Sequence, residues 1–244
     1  MKFDSGINQY ITGEKFSSAL QIPFSLYKFE DIDRPSKIAQ IAKNKRVIHI
    51  GCCDHLPLIE EKIRKKRWLH KLLVDNTQKC IGIDINREAV DYITNNLNIK
   101  DVYCLDILKD DIDLGNEMWD YVILGELIEH VDNPVDFLQI IKQKLQGKVK
   151  KIIITAPNVL NILYAKYMRQ NVECINSDHR YWFSPYTLSK VVTLSGFSNC
   201  ELTYAETVRL PFFKAAIRFI KKKLNIKRYY NANHFYSVIL SADF

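Results

Sequence analysis

The chain has 244 residues, of which 47% are hydrophobic and 26% are charged, and its formal net charge is +7. This length fits one large α/β domain or two small ones, and the apolar content is that of an ordinary packed globule. No apolar run approaches the ~20 residues that span a bilayer, and the first ten residues lack the apolar core of a signal peptide. We therefore expect neither a membrane-spanning helix nor a secretory leader, and the positive charge predicts a basic solvated surface.

The six cysteines give a second compositional signal. They form no CxxC pair of the kind that binds metals, and most of them fall inside predicted strands. Buried thiols of this kind are typical of the reducing cytoplasm, so we predict a cytoplasmic protein. A strained vicinal disulfide between the adjacent Cys52 and Cys53 is an alternative that we do not favour.

In chain order, residues 1–45 show no sustained period, and we expect them to form a cap over the edge of a sheet. The run Arg46–Ile50 is apolar and is bounded by charges before it and small residues after it. That pattern predicts a buried parallel strand that breaks off at a tight turn. Gly51 supplies the backbone freedom of the turn, and Cys52 and Cys53 are small enough to let a ligand approach the main chain.

Further along, apolar runs typical of strands alternate with segments of helical period. The predicted strands cover residues 79–84, 102–105, 119–124, 151–156, 199–205 and 235–242. The predicted helices cover residues 36–45, 56–74 with a break near Trp68, 87–97, 134–145, 159–169, 184–195 and, as a basic amphipathic helix, 211–228. This alternation predicts an α/β fold in which a parallel sheet carries helices on both faces. No repeat or linker interrupts the pattern, so we expect a single domain.

Two features at the strand ends indicate a nucleoside-binding site. A glycine turn follows the first buried strand, and Asp84 stands at the tip of the second. In folds of this type the N–H groups of the turn face the ligand, and the carboxylate accepts hydrogen bonds from ribose hydroxyls. The turn holds a single glycine, so the motifs further along the chain are needed to support this interpretation.

A series of motifs over roughly residues 46–200 carries a resemblance to a known family. In order they are VIHIGCCD, GIDIN, CLDIL, WDYVILGELIEHVDNP, IIITAPN, HRYWFSPYTL and SGF. They resemble the class I S-adenosylmethionine-dependent methyltransferases, and more narrowly the branch with ubiquinone-biosynthesis O-methyltransferases and sugar and surface-polysaccharide methyltransferases. The resemblance implies a Rossmann-like, seven-stranded, mostly parallel sheet with an antiparallel last strand. It also divides the single domain into a cap (1–45), a cofactor-binding half (46–158) and a substrate-side half (159–244).

The resemblance implies a role for each cofactor-facing position of this sequence. The backbone of Gly51, Cys52 and Cys53 would face the methionine part of S-adenosylmethionine, and Asp84 would bind the ribose hydroxyls. The other implied cofactor contacts are Asp106 with the adenine amino group, Ile85 and Ile107 with the adenine ring, and Gly125 and Glu126 beside the sulfonium.

Several positions depart from the family pattern or stand outside it. An acidic residue is usual where this chain has His49, and a second glycine is usual where it has Cys53. The missing acid removes a polar anchor for the amino-acid end of the cofactor, and Asp54 is expected to replace it in part. His55 and His70 lie in or beside a basic helix, and we predict that both face solvent.

Glu126, Glu129 and His130 form a Glu-x-x-Glu-His stretch after the fourth predicted strand. Spacings of three and four place these side chains on one face of a helical turn, where they could hold a hard divalent cation. The pattern resembles the magnesium site of ubiquinone-pathway and small-RNA 2′-O-methyltransferases, which implies Mg²⁺ and adds His179 as a ligand. The alternative is that Glu129 and His130 only brace the turn before Pro134. His130 and His179 are also the candidate general bases.

The long segment over residues 158–183 is predicted to bind the acceptor, because loops of that length are usually functional. Arg180 and Trp182 in this segment, together with Tyr10 in the N-terminal cap, are the candidate substrate contacts. These side chains suit a small anionic or sugar-like acceptor. We expect no nucleic-acid partner, and the basic stretch 218–228 could touch a membrane surface.

Together these patterns predict an S-adenosylmethionine-dependent methyltransferase that O-methylates a small polar acceptor. A sugar, or a nucleotide-linked or phosphorylated precursor of a surface polysaccharide, is the acceptor that the resemblance favours. One alternative is a binding protein that kept the fold and lost the chemistry, which the departures at His49 and Cys53 leave open. The other is a nicotinamide-dependent reductase, against which the missing G-x-G-x-x-G argues.

Overall fold

The computed structural model describes residues 5–207 and 234–244, which build one sheet flanked by helices. The described strands are β1 (Lys28–Phe29), β2 (Arg46–Ile50), β3 (Lys79–Asp84), β4 (Val102–Cys104), β5 (Trp119–Gly125), β6 (Val149–Pro157), β7 (Ser198–Thr207) and β8 (Phe235–Asp243). The described helices are α1 (Ser5–Ile11), α2 (Arg34–Ile41), α3 (Leu56–Arg64), α4 (Leu69–Asn76), α5 (Arg87–Asn95), α6 (Pro134–Leu145), α7 (Ile162–Met168) and α8 (Pro185–Leu194). The predicted basic helix 211–228, with its proposed membrane contact over 218–228, lies outside the described residues.

The strand order is β1-β7-β8-β6-β5-β2-β3-β4, and β8 runs antiparallel to both of its neighbours. The other neighbouring pairs in the described sheet are parallel. The chain lays down β2, β3 and β4 toward one edge and then returns to place β5 on the other side of β2, so strand order reverses there. Ligands of open α/β sheets bind outside the carboxyl ends of the strands at such a reversal. The predicted Rossmann-like, mostly parallel fold with an antiparallel last strand is confirmed.

Successive side chains of the central strands point to opposite faces of the sheet, as in any β-strand, and pack in different hydrophobic clusters. Val47, Ile123 and Ile153 pack with Ile38 of α2 and Leu73 of α4. The other face packs against α1, α6 and α8 through a cluster that includes Ile48, Val122, Ile152, Ile11, Leu138 and Leu188. Because both faces are covered, the central strands consist of nearly continuous apolar residues.

The helix starts follow cap residues that the sequence provides. Side-chain oxygens of Asp33, Asn86, Asn133 and Ser184 accept hydrogen bonds from first-turn N–H groups of α2, α5, α6 and α8. Proline in the first turn of α2, α6 and α8 suits the same positions. The predicted break near Trp68 is confirmed, since it separates α3 from α4. Within the described part of the chain, no helix is long and apolar enough to cross a membrane.

Three predictions about the fold need correction. The described sheet has eight strands rather than seven, because Lys28–Phe29 adds a short edge strand beside β7. The helix before β2 begins at Arg34 rather than at residue 36, since Asp33 caps it. His70 is fully buried rather than solvent-facing, because it lies on the face of α4 that packs on the sheet, whereas His55 is exposed as predicted. The single-domain organisation stays a prediction.

Candidate active site

The turn after β2 and the tip of β3 form the first part of the site. Gly51 has a φ of 69°, a left-handed conformation that glycine adopts without strain. Its N–H group and that of the next residue donate to the carbonyl oxygen of Ile83, at 2.9 and 3.3 Å. Asp84 closes the turn, because its Oδ2 accepts from the N–H of Cys53 at 2.9 Å and its Oδ1 from the N–H of Asn86 at 3.0 Å.

These bonds change what the turn can offer a ligand. The N–H groups of Gly51, Cys52 and Cys53 all donate to acceptors within the protein. They are therefore not free to bind a ligand, and the turn serves the site by letting a ligand come close to the main chain. Each oxygen of an ionised carboxylate can accept about two hydrogen bonds. Asp84 therefore retains acceptor capacity for a pair of ribose hydroxyls.

The predicted adenine contacts follow β3 and β4. Ile85 is 74% exposed, whereas Ile107 is buried, so Ile85 is the one whose apolar surface a bound ring could cover. Asp106 accepts from the N–H of Leu108 at 3.0 Å and pairs with Lys109 at 2.8 Å. The Lys109 ammonium lowers the pKa of Asp106, so this carboxylate is ionised at neutral pH and can accept a further hydrogen bond.

Cys52 and Cys53 are free thiols, so the disfavoured vicinal disulfide is absent. Their Sγ atoms lie 4.0 Å apart, and Cys52 is buried. The hydrogen bond with Cys53, together with burial, raises the pKa of Cys52 well above its usual value. Cys52 is therefore a neutral thiol at pH 7 rather than a nucleophile.

The turn after β5 carries Glu126, whose φ of 57° is unusual for a residue other than glycine. Its N–H donates to Thr155 Oγ1 at 3.0 Å, and its Oε1 accepts from Ser237 at 3.2 Å. Its Oε2 pairs at 3.1 Å with Arg34, whose side chain is only 13% exposed. Arg34 is not among the site residues predicted from the sequence, where its only signal is the helix start that follows Asp33. Asp54, expected to replace the missing acid, pairs instead with a lysine of α3.

A pair of buried histidines lies beneath Gly125. His49 of β2 and His70 of α4 stack at 27° with their Nδ1 atoms 3.2 Å apart. Burial lowers the pKa of His49 well below its usual value and that of His70 to about 4. Both rings are therefore neutral at pH 7, and one donates its Nδ1 proton to the other. A Cβ atom at Gly125 would lie 2.6 Å from a terminal methyl of Leu69 and 3.5 Å from His49 Nε2, so any side chain there would force Leu69 to move.

The candidate catalytic and metal-binding cluster consists of Glu129, His130 and His179. One ligand atom of each residue lies within 4.8 Å of the other two. Glu129 is fully buried, and its carboxyl oxygens have no hydrogen-bond partner among the described residues. Burial, with a smaller effect of the Glu126 charge, raises its pKa to about 8. His130 Nδ1 lies 3.2 Å from the carbonyl oxygen of Asp178 and must donate to it, which leaves Nε2 as the acceptor atom.

The structure brings together three of the four predicted metal ligands. His179 Nε2 lies 4.0 Å from Glu129 Oε1, although their residues are fifty positions apart in the chain. Burial, followed by the charge of His130, lowers the pKa of His179, so its ring keeps a lone pair at neutral pH. Glu126 does not join the cluster, because Arg34 and a serine of β8 hold its carboxylate.

Arg180, predicted to face the acceptor, instead braces the loop after β5. Its N–H donates to the carbonyl oxygen of Glu129 at 2.8 Å, and its guanidinium bonds the carbonyl oxygen of His130 and pairs with Asp132 at 3.0 Å. Tyr181 donates to the carbonyl oxygen of Asp132 at 2.7 Å. These bonds hold the cluster in place, and a direct contact of Arg180 with an acceptor stays a prediction.

The other two predicted acceptor contacts lie in different places. Trp182 packs edge-on against Tyr164, with ring centroids 4.5 Å apart, and its ring lies 6.5 Å from that of His179. Tyr10 lies in α1, where its carbonyl oxygen accepts hydrogen bonds from two side chains of α8, each at 3.1 Å. Trp182 is therefore the one that the described contacts place beside the cluster.

Comparison with known protein families identifies the class of protein that this fold and site define. Residues 27–202 match a family described as a methyltransferase domain. The match covers more than half of the chain and runs from just before β1 into β7. This chain belongs to the methyltransferase-domain family, which confirms the broad resemblance in the sequence. Among curated proteins, none matches the sequence.

Solved structures share the fold at low sequence identity. An S-adenosylmethionine-dependent methyltransferase from Archaeoglobus fulgidus has a TM-score of 0.52 and 18% identity, covering 86% of this chain and 91% of that one. A methyltransferase from Thermotoga maritima, described as a possible histamine N-methyltransferase, has a TM-score of 0.53 and 12% identity, covering 86% of both chains. The small RNA methyltransferase HEN1 has a TM-score of 0.52 and 16% identity, covering 94% of this chain and 27% of its own. These likenesses show the S-adenosylmethionine-dependent methyltransferase fold.

Proposed function

We propose that this protein is an S-adenosylmethionine-dependent methyltransferase that transfers the methyl group to a hydroxyl of a small acceptor. The observation that carries the proposal is the cluster of Glu129 and His130, which follow β5, with His179, which follows α7. Glu129 and His130 lie after one of the strands at the strand-order reversal, and Asp84 lies at the end of β3 on the other side of β2. A nucleoside held by Asp84 would reach across the reversal toward Gly125. When bound, S-adenosylmethionine supplies a methyl group that its sulfonium makes electrophilic.

His179 is the proposed general base. Its neutral ring can take the proton of the acceptor hydroxyl while the hydroxyl oxygen bonds to the methyl carbon and the carbon–sulfur bond breaks. General-base assistance contributes ~10²–10⁴-fold, and alignment of the reacting atoms supplies much of the rest. His130 is the second candidate, because its Nε2 remains an acceptor while its Nδ1 donates to a backbone carbonyl.

The same cluster fits a divalent cation, and we propose Mg²⁺ or Mn²⁺ there. Glu129 is a buried carboxyl without a partner in the described part of the chain, and a cation would offset the cost of ionising it. His130 and His179 would complete the protein ligands, each through a ring nitrogen, and His179 would then not act as the base. Carboxylate ligands suit Mg²⁺ and Mn²⁺, and a bound cation would lower the pKa of an acceptor hydroxyl.

Chelation tests the metal separately from the methyl transfer. With EDTA present, turnover should be lost, and added Mg²⁺ or Mn²⁺ should restore it. Full activity in EDTA would remove the cation from the proposal and leave His179 acting directly as the base.

The acceptor that we propose is a sugar, or a nucleotide-linked or phosphorylated precursor of a surface polysaccharide, in the cytoplasm. The resemblance of the motifs to that methyltransferase branch supports this choice. The net charge of +7 and the half-buried Trp182 ring near His179 also support a polar, partly anionic acceptor.

A screen with labelled S-adenosylmethionine over nucleotide sugars, phosphorylated small molecules and phenols tests the function. We expect turnover by the parent protein and a loss of at least a hundredfold in His179→Ala, with an unchanged Kd for the cofactor. Failure to bind S-adenosylhomocysteine, measured by isothermal titration, would favour a binding protein without this chemistry. Thermal stabilisation by NADH but not by S-adenosylmethionine would favour a reductase.

A further inference from the structure

A cavity of about 400 Å³ lies beside α7 and the segment that follows it. Its described wall includes the apolar or aromatic residues Tyr164, Met168, Val172 and Trp182 and the polar residues Asn171 and Glu173. Pockets for small ligands usually measure ~300–1,000 Å³, so this cavity has the size for a ligand of one or two rings.

Aromatic and aliphatic groups dominate the wall. Tyr164 and Trp182 meet at 78°, so their rings present two nearly perpendicular surfaces. Met168 and Val172 complete this apolar wall, although they remain 66% and 49% exposed in the protein alone. Apolar surface left in water beside a cavity indicates a ligand with an apolar face.

The polar groups of the cavity restrict the charge of that ligand. Glu173 is the only charged side chain among the described lining residues, and no lysine or arginine lines the described wall. A phosphate or carboxylate would therefore find no cationic partner there. Asn171 and Glu173 together provide donor and acceptor atoms of the kind that bind neutral hydroxyl groups.

The inner end of the cavity adjoins the catalytic cluster. The Trp182 ring lies 6.5 Å from the ring of His179. A ring in the cavity can therefore direct one substituent at the proposed base.

We infer that this cavity is a glycosyl subsite that holds one neutral sugar ring of the acceptor. The C–H face of the sugar lies on Trp182 and Tyr164, and its hydroxyls bind Asn171 and Glu173. One further hydroxyl of the ring points at His179 and receives the methyl group. The inference rests on the proposed function and narrows it, because any phosphate or nucleotide of the acceptor must lie outside the cavity.

Isothermal titration of neutral methyl glycosides into the protein saturated with S-adenosylhomocysteine tests this subsite. A panel of methyl hexosides and 6-deoxyhexosides would be compared with hexose 1-phosphates and phenol. At least one neutral glycoside should bind, and Trp182→Leu and Glu173→Ala should each weaken it tenfold or more. Trp182→Phe, which keeps a ring, should weaken it less. Ile175→Ala, a change at an exposed residue of the same segment, should leave the affinity unchanged.

The same titrations separate failure of the subsite from failure of the proposed function. Binding of S-adenosylhomocysteine without binding of any neutral glycoside would overturn the subsite and leave the methyltransferase assignment intact. Preference for phenol over every glycoside, or an affinity for glycosides and hexose 1-phosphates that is unchanged in both Trp182→Leu and Glu173→Ala, would overturn it as well. Absence of S-adenosylhomocysteine binding would contradict the proposed function itself. Because Glu173 is exposed, its variant keeps the test valid if the change at Trp182 prevents folding.

Discussion

The Nδ1 atoms of His49 and His70 lie 3.2 Å apart and form a hydrogen bond in the interior, near the carboxyl end of β2. One residue comes from the strand and the other from α4, so their hydrogen bond ties the helix to the centre of the sheet. Both rings are buried, and two positive charges at this distance would repel each other strongly. The site beside Gly125 is therefore built on an uncharged pair, where the resembled family has an acidic residue.

Acid should destabilise the protein through this pair. The folded pKa values lie below the unfolded value of about 6.5, so the unfolded state binds more protons as the pH falls. The stability that the neutral rings provide is present above pH ~6.5 and is lost toward pH ~4. For His70 the loss between pH 7.5 and 5.5 is roughly 1 kcal/mol. Urea unfolding at the two pH values measures it.

The double variant His49→Val/His70→Leu removes the titrating groups from the interior. It should lose less stability than the parent over the same pH interval. His55→Gln, at an exposed histidine, should behave like the parent. Equal losses in the parent and the double variant would show that the pair is not the source of the acid sensitivity.

Glu129 should have the opposite dependence on pH when no cation is bound. Its folded pKa of about 8 lies above the unfolded value of about 4.3, so folding stability falls as the pH rises between these values. Glu129→Gln keeps the shape and removes the titration, and we expect it to exceed the parent by up to about 4 kcal/mol at pH 7.5. The measurement is urea unfolding in EDTA at pH 5 and 7.5.

Manganese provides a control for the same pair of proteins. Because the cation needs the ionised carboxylate, Mn²⁺ should raise the melting temperature of the parent at pH 7.5 and leave Glu129→Gln nearly unchanged. Parallel pH profiles for the two proteins in EDTA would contradict the raised pKa of Glu129.

Arg34 should contribute more to the free energy of unfolding than an ordinary surface lysine or arginine does. Its ion pair with Glu126 is mostly buried on the arginine side and one-third exposed on the other. We therefore expect Arg34→Met to cost roughly 1–3 kcal/mol, between the values for exposed and buried pairs. Lys65→Met, which breaks an exposed pair with Glu61, should lower the free energy of unfolding much less. If urea unfolding gave similar losses of stability for the two variants, the structural role of the Arg34–Glu126 ion pair at the site would be contradicted.

Strands and helices could be predicted from the sequence where neighbouring residues carry the pattern. Buried strands read as apolar runs, and cap residues such as Asn86 and Ser184 marked helix starts. The two-residue strand β1 was missed because it is too short for a period and is held by pairing with β7. The prediction that His70 faces solvent was wrong because a histidine in a basic helix is usually exposed. The local sequence does not show its buried partner, His49, which lies twenty-one residues earlier in the chain.

The sequence indicated which types of residue form the candidate site, but only part of the contacts that these residues make. The spacing of Glu129 and His130 indicated a cluster, the resemblance implied His179 as a further member, and the structure brings the three residues together. The spacing also suggested Glu126 as a ligand, but it cannot show that Arg34, from a helix nearly a hundred residues earlier, holds that carboxylate. Such long-range pairings depend on the tertiary fold rather than on local pattern.

The Asp84 carboxylate is the polar group on which the cofactor assignment depends most. Asp84 also receives two backbone hydrogen bonds, so a melting curve of Asp84→Ala must first confirm that the variant folds. Asp75→Ala provides the matched control, because Asp75 pairs with Lys71 on the exposed side of α4.

The most direct measurement is the Kd of S-adenosylmethionine for the parent, Asp84→Ala and Asp75→Ala by isothermal titration. Hydrogen bonds to a charged group are worth ~1.5–3 kcal/mol each, so Asp84→Ala should weaken binding at least about tenfold. Asp75→Ala should bind like the parent. A parent protein that does not bind S-adenosylmethionine, or an Asp84→Ala variant that binds it with unchanged affinity, would contradict the account.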